Sequence, residues 1–139
     1  MTVKSIKIKK NKIIFNKKGN ILKFLDKKSK QYKSFGEIYF SEIKKNMTKG
    51  WNFHRKFYSI VTVPHGVVEF IFFNPKQKKK TFKKIIAGGK NNISIQIPPG
   101  IWFSFKSRTK ISLVANFLNK IHNKKETEKT NIINGKKIK

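Results

Sequence analysis

The stretch Phe57-Tyr-Ser-Ile-Val-Thr-Val63, then Pro64-His65-Gly66, then Val67-Val-Glu-Phe-Ile-Phe-Phe73, decides the fold class. β-Branched and aromatic side chains fill both arms, and such residues suit the pleated, half-buried surface of a sheet. Pro-His-Gly between them is a turn signal, so the segment reads as a β-hairpin. Asn74-Pro75 ends the second arm, and Lys76 to Lys80 form a basic loop. Thr81 to Ala87 resumes, Gly88-Gly89 turns, and Asn92-Ile-Ser-Ile-Gln-Ile97 alternates apolar and polar residues. Pro98-Pro99-Gly100 makes a stiff corner before Ile101-Trp-Phe-Ser-Phe105 and Lys110-Ile-Ser-Leu-Val-Ala-Asn-Phe117. Upstream, Gly36-Glu-Ile-Tyr-Phe-Ser-Glu-Ile43 is close to period two, with Ile38, Phe40 and Ile43 expected inward. Strands recurring every ~8–12 residues and broken by Gly and Pro argue a sandwich or barrel. Closure removes exposed strand edges.

The ends are less regular. Val3 to Lys9 and Lys12 to Phe15 read as edge strands, and Ile21 to Leu25 as a strand or a single helical turn. Charge rises and core formers thin out from about Asn123. The expected organisation is one barrel over residues 1–122 and a basic, flexible tail over 123–139. A chain of 139 residues has room for one hydrophobic core. It holds no apolar run of the roughly 20 residues that a membrane span needs. With no cysteine and no export signal, disulfides and thiolate metal sites are excluded and a cytoplasmic location is the default expectation.

The formal charge of +28 invites a nucleic-acid reading, in which aromatics on a basic sheet stack the bases of a single strand. Two features disfavour it. Arg55 and Arg108 are the only arginines, although arginine is the better bidentate reader of bases and phosphates. Ile, Asn, Phe and Lys are all abundant and share AT-rich codons, so coding bias accounts for the skew. The charge still favours small anionic partners.

Three ordered stretches carry a resemblance: Phe35-Gly-Glu-Ile-Tyr-Phe-Ser-Glu42, Lys49-Gly-Trp-Asn-Phe-His-Arg-Lys56 and Ile97-Pro-Pro-Gly-Ile-Trp-Phe-Ser-Phe105, followed by Asn116 and Ile121-His122. Over roughly Lys12 to His122 the chain resembles the dTDP-4-dehydrorhamnose 3,5-epimerase superfamily, and more closely its related cupins with a Lys/Arg-Gly-Trp-His-x-His-Lys pattern. The resemblance implies an all-β, cupin-type double-stranded β-helix (jelly-roll) barrel, a homodimer, and a nucleoside diphosphate sugar bound in the barrel mouth without a cofactor. In such epimerases a histidine removes a proton next to a ketone, a lysine stabilises the enolate and a tyrosine returns a proton on the other face.

This chain departs from that pattern. Asn52 stands where the base belongs, and a carboxamide cannot take a proton near neutral pH. Ser59 stands at the enolate lysine's place, Phe103 replaces a histidine after the Pro-Pro-Gly corner, and no tyrosine follows Tyr58. His54, on the face of Asn52 by period two, remains as the candidate catalytic base. Lys49, Trp51, Asn52 and Trp102 are the candidate ligand-binding residues, Lys49 at the phosphate-gripping position and the indoles as stacking surfaces. No metal is expected, because His54 has no partner ligand at the spacing that metal-binding cupins use. The function expected is sugar-nucleotide binding in surface-polysaccharide synthesis, with an altered isomerase chemistry or none.

Overall fold

The computed structural model describes residues 5–133 and 136–137. Ten strands form two five-stranded sheets that face each other across the core. In chain order the strands are β1 (Lys7–Lys10), β2 (Ile13–Ile14), β3 (Ile21–Leu22), β4 (Glu37–Lys44), β5 (Thr48–His54), β6 (Ser59–His65) and β7 (Val67–Phe73). β8 (Phe82–Gly88), β9 (Ile93–Ile97), β10 (Trp102–Ser107), β11 (Ile111–Leu118), β12 (Thr127–Lys129), β13 (Ile132–Ile133) and β14 (Lys136–Lys137) follow. One sheet runs β1-β9-β6-β11-β4 and the other β12-β5-β10-β7-β8; β2-β3 and β13-β14 are small separate pairs. All strand pairs are antiparallel. This is a cupin-type jelly roll, and no helix occurs among the described residues.

The arms of the expected 57–73 hairpin do not pair with each other. β6 lies between β9 and β11, whereas β7 lies between β8 and β10 in the opposite sheet. Gly66, at φ 84°, turns the chain across the sandwich. A Cβ there would meet Ser112 Oγ at 2.3 Å, so the crossing requires glycine. The hairpin partner of β7 is β8, paired from Phe73↔Phe82 to Val67↔Gly88, with the Lys76–Lys80 run in its loop. Both arms are apolar because each is a central strand, and sequence pattern cannot distinguish a hairpin turn from a change of sheet.

The core lies between the sheets. Val61, Val63, Val68, Phe70, Phe72, Ile95, Ile97, Phe103, Phe105 and Val114 belong to one buried apolar cluster. On β4 the expected phase is corrected: Ile38 and Phe40 are 47% and 63% exposed, and Tyr39, Ser41 and Ile43 face inward. The interior behind β4 is in part a polar cavity, so its inward face carries hydroxyls as well as Ile43. Pairing also continues past the expected boundary at residue 122. β12 extends the second sheet through Thr127↔His54 and Lys129↔Asn52, and Glu126 just before it is buried. Glu126 is held by backbone hydrogen bonds, so the low apolar content of this segment gave no sign of its burial.

Candidate functional site

A cavity of about 420 Å³ opens between β4 and β11 on one side and β5, β10 and β12 on the other. Phe103, Phe105 and Val114 give it an apolar lining. Its polar groups are Tyr39, Ser41, Lys49, Asn52, His54, Asn116, His122, Thr127 and Lys129.

β5 supplies the central groups through a local irregularity. Phe103 pairs with Asn52 but Ser104 pairs with Gly50, so Trp51 is an extra residue opposite β10. A bulge of this kind reverses the alternation of side chains. Lys49 therefore joins Asn52 and His54 in the cavity, although it stands three positions before Asn52. Gly50 makes this possible. It sits at φ 110°, and a Cβ would meet Phe103 O at 2.7 Å and Ser104 Cα at 2.9 Å.

The same bulge turns Trp51 away from Lys49, and ordinary alternation along β10 sets Trp102 on the face opposite Phe103. Trp51 is fully buried in a second cluster with Phe73 and Ile133, against which Trp102, Phe82 and Ile71 pack. Trp102 also packs on Phe53, ring centroids 4.9 Å apart. Neither indole lines the cavity. Of the expected site residues, the structure unites Lys49, Asn52 and His54 and places Trp51 and Trp102 in packing positions. In a regular strand Trp51 would share a face with Lys49, and only the bulge separates them.

His54 is the most constrained group. Its ring is 5% exposed and lies between those of Phe57, 6.2 Å away and stacked, and Phe103, 6.0 Å away. Nδ1 is 3.4 Å from Thr127 Oγ1 and 3.8 Å from Glu126 Oε1. Glu126 in turn accepts hydrogen bonds from the backbone N–H of Lys56 (2.9 Å) and of Phe57 (3.0 Å). Burial lowers the His54 pKa below its ordinary 6.5, Glu126 opposes the shift, and His122 adds to it. His54 is thus a neutral imidazole near pH 7, the form a general base requires.

On the opposite wall Asn116 Nδ2 donates to the Tyr39 hydroxyl at 3.0 Å, while Asn116 Oδ1 accepts from Ser59 Oγ at 2.7 Å. Burial, with Glu37 adding to it, raises the Tyr39 pKa above 10.0, so the phenol keeps its proton at neutral pH. Lys49 Nζ donates to Ser41 Oγ at 2.8 Å. Among the described residues the lining carries two lysines and no carboxylate, a setting for an anion. No three His, Asp or Glu side chains converge as a metal-holding group among the described residues.

Sequence reasoning missed Tyr39, Ser41, Glu126, Thr127 and Lys129. Tyr39 and Ser41 were hidden by the apolar neighbours that set the wrong phase on β4, and Glu126, Thr127 and Lys129 by the charge-rich segment that contains them.

No protein-family model matches the chain, and no curated protein sequence matches it. Solved structures do match. A dTDP sugar isomerase from Desulfovibrio desulfuricans G20 superposes with a TM-score of 0.87 at 27% identity, over 92% of this chain and 85% of that one. A dTDP-6-deoxy-D-glucose-3,5-epimerase from Legionella pneumophila Philadelphia 1, solved with dTDP-4-keto-L-rhamnose, gives 0.81 at 17% identity over 92% and 73%. A histidine-to-asparagine mutant of a 3,4-ketoisomerase from Thermoanaerobacterium thermosaccharolyticum, in complex with TDP-4-keto-6-deoxyglucose, gives 0.76 at 17% over 91% and 88%. The last two likenesses concern the fold.

Proposed function

We propose that the chain binds a nucleoside diphosphate 4-keto sugar in the cavity and moves a proton at a carbon beside the ketone, as an isomerase or epimerase of altered chemistry. The observation that carries this reading is a neutral, buried His54 facing a protonated Tyr39 across a cavity that also holds two lysines. The isomerase at 27% identity supports the substrate class. Nδ1 of His54 is turned toward Thr127 and Glu126, which leaves Nε2 for the cavity. Nε2 takes the proton, and the C–H electron pair moves into the ketone as an enolate. Asn52 cannot act as a base, but its carboxamide N–H can donate to the enolate oxygen. Tyr39, on the opposite wall, is the acid that returns a proton. Lys49 and Lys129 attract the diphosphate. The setting proposed is a cytoplasmic homodimer in surface-polysaccharide synthesis.

The test is incubation with dTDP-4-keto-6-deoxyglucose in deuterium oxide, followed by mass spectrometry of the sugar. The wild type is expected to exchange a carbon-bound proton and His54→Asn to lose at least ~100-fold of that rate. Tyr39→Phe is expected to slow product formation more than exchange, because abstraction precedes reprotonation. Thermal stabilisation by the ligand without exchange would reduce the function to binding. Neither stabilisation nor exchange, across a panel of sugar nucleotides at millimolar concentration, would overturn the proposal.

A further inference from the structure

Asn116 stands directly opposite Tyr39 in the β11–β4 register. On its other side, in β6, its partner is Val61, so Ser59 is its diagonal neighbour on the same face. The amide of Asn116 bridges the two hydroxyls. Ser59 Oγ donates to Oδ1 at 2.7 Å, and Nδ2 donates to the Tyr39 hydroxyl at 3.0 Å. Ser59 is fully buried and Asn116 is 6% exposed, so an amide that broke this chain would find no water in exchange. A phenol has one proton to donate and lone pairs to accept with. With Asn116 donating to its oxygen, the Tyr39 proton is left to point into the cavity that the phenol lines. Ser59, at the place where the resemblance has its enolate lysine, does not itself line that cavity.

We infer, on the acid role given to Tyr39 above, that Ser59 and Asn116 are positioning residues, a buried hydrogen-bond chain that aims the Tyr39 proton at the substrate. In the return step the phenol O–H bond breaks, a C–H bond forms at the enolate carbon and the ketone is restored. A phenolate remains on Tyr39. The Nδ2–H of Asn116, already seated on that oxygen, holds the phenolate by a charge-assisted hydrogen bond. When product leaves, water in the cavity reprotonates the phenolate and takes the Nε2 proton from the His54 imidazolium. Both groups return to their starting forms, and no oxidant or further reactant is needed. The opposite polarity, with Tyr39 donating to Asn116 and Asn116 to Ser59, turns the acid's proton into the wall.

Polarity is read first without ligand. In isotope-labelled full-length protein, NMR nuclear Overhauser contacts from the Asn116 side-chain amide protons are expected to be strongest to the Tyr39 ring protons beside the hydroxyl. Strongest contacts to the Ser59 methylene instead overturn the chain. Turnover is then read with dTDP-4-keto-6-deoxyglucose in deuterium oxide. Asn116→Asp keeps the size of the side chain, but its carboxylate only accepts, so Tyr39 must donate to it. Its kcat for product is expected to fall about 100-fold, with exchange at the carbon that His54 deprotonates much less affected. In a Tyr39→Phe background the same substitution is expected to add no further loss, because no proton is left to aim. An equal loss with and without the Tyr39 hydroxyl, or wild-type kcat in Asn116→Asp, overturns the positioning role. Failure of the wild type to bind or turn over any sugar nucleotide overturns the proposed function instead, and the NMR contacts still decide the polarity.

Discussion

Glu126 accepts the backbone N–H groups of Lys56 and Phe57 just where β5 hands over to β6, and it does so with its own side chain 7% exposed. Replacing it by alanine leaves two donors without their acceptor in a partly buried corner. Glu126→Ala is expected to cost about 2–3 kcal/mol, with Glu126→Gln costing less, as read by urea denaturation. His54 gives a pH dependence with a definite sign. Its folded pKa lies below the ordinary 6.5, so on acidification the unfolded chain takes up that proton first. The contribution is intact above about pH 6.5 and is lost as the pH falls through that value toward the folded pKa. Denaturation midpoints between pH 8 and pH 5 should show this loss in the wild type, and a shallower one in His54→Asn.

The β5 bulge decides which side chains meet the cavity, and Gly50 is its weak point. Gly50→Ala adds a Cβ that meets Phe103 O at 2.7 Å, on a backbone at φ 110°. It is expected to destabilise by about 2 kcal/mol or more and to abolish sugar-nucleotide binding, measured by calorimetry. Gly100→Ala is the control: φ is 88° there but a Cβ would find open space, so it carries strain without a clash. Strand positions along β7 to β11 were legible from Pro, Gly and alternation to within a residue or two. Strand partners were not. The arms around Gly66 read as a hairpin because both are apolar, and Ile38 and Phe40 read as inward because apolar residues usually are. β4 is the edge strand of its sheet, beside β11, with Tyr39 facing a cavity, and that inverts the rule.

A net charge of +28 on one small domain creates a field reaching well beyond the cavity. Sugar-nucleotide affinity is expected to weaken several-fold between about 0.05 and 0.5 M salt, as exposed lysines are screened. The same chain ends in a segment whose composition suggests a solvated tail. β12 nonetheless brings Glu126 and Thr127 against His54, and Ile133 is buried beside Trp51 and Phe73. Truncation after Asn123 is therefore expected to lower the melting temperature and remove ligand binding together, because it removes one wall of the site. A variant shortened only from Gly135 onward should retain that wall and its binding.

Read alone, the amino-acid order established an all-β chain and the approximate strand positions, while Lys49, Asn52 and His54 came forward as candidates through the resemblance and, for His54 and Asn52, through period two. Local chemistry suffices for the strands: β-branched runs, turn residues and period-two alternation act over a few neighbours. The exclusion of Trp51 and Trp102, the arrival of Tyr39, Asn116 and Thr127, and the coupling of His54 to Glu126 and His122 belong to the folded state. Each depends on pairing between strands far apart in the chain, on a one-residue bulge that reverses side-chain direction, and on carboxylate-to-backbone hydrogen bonds that no hydrophobic pattern encodes.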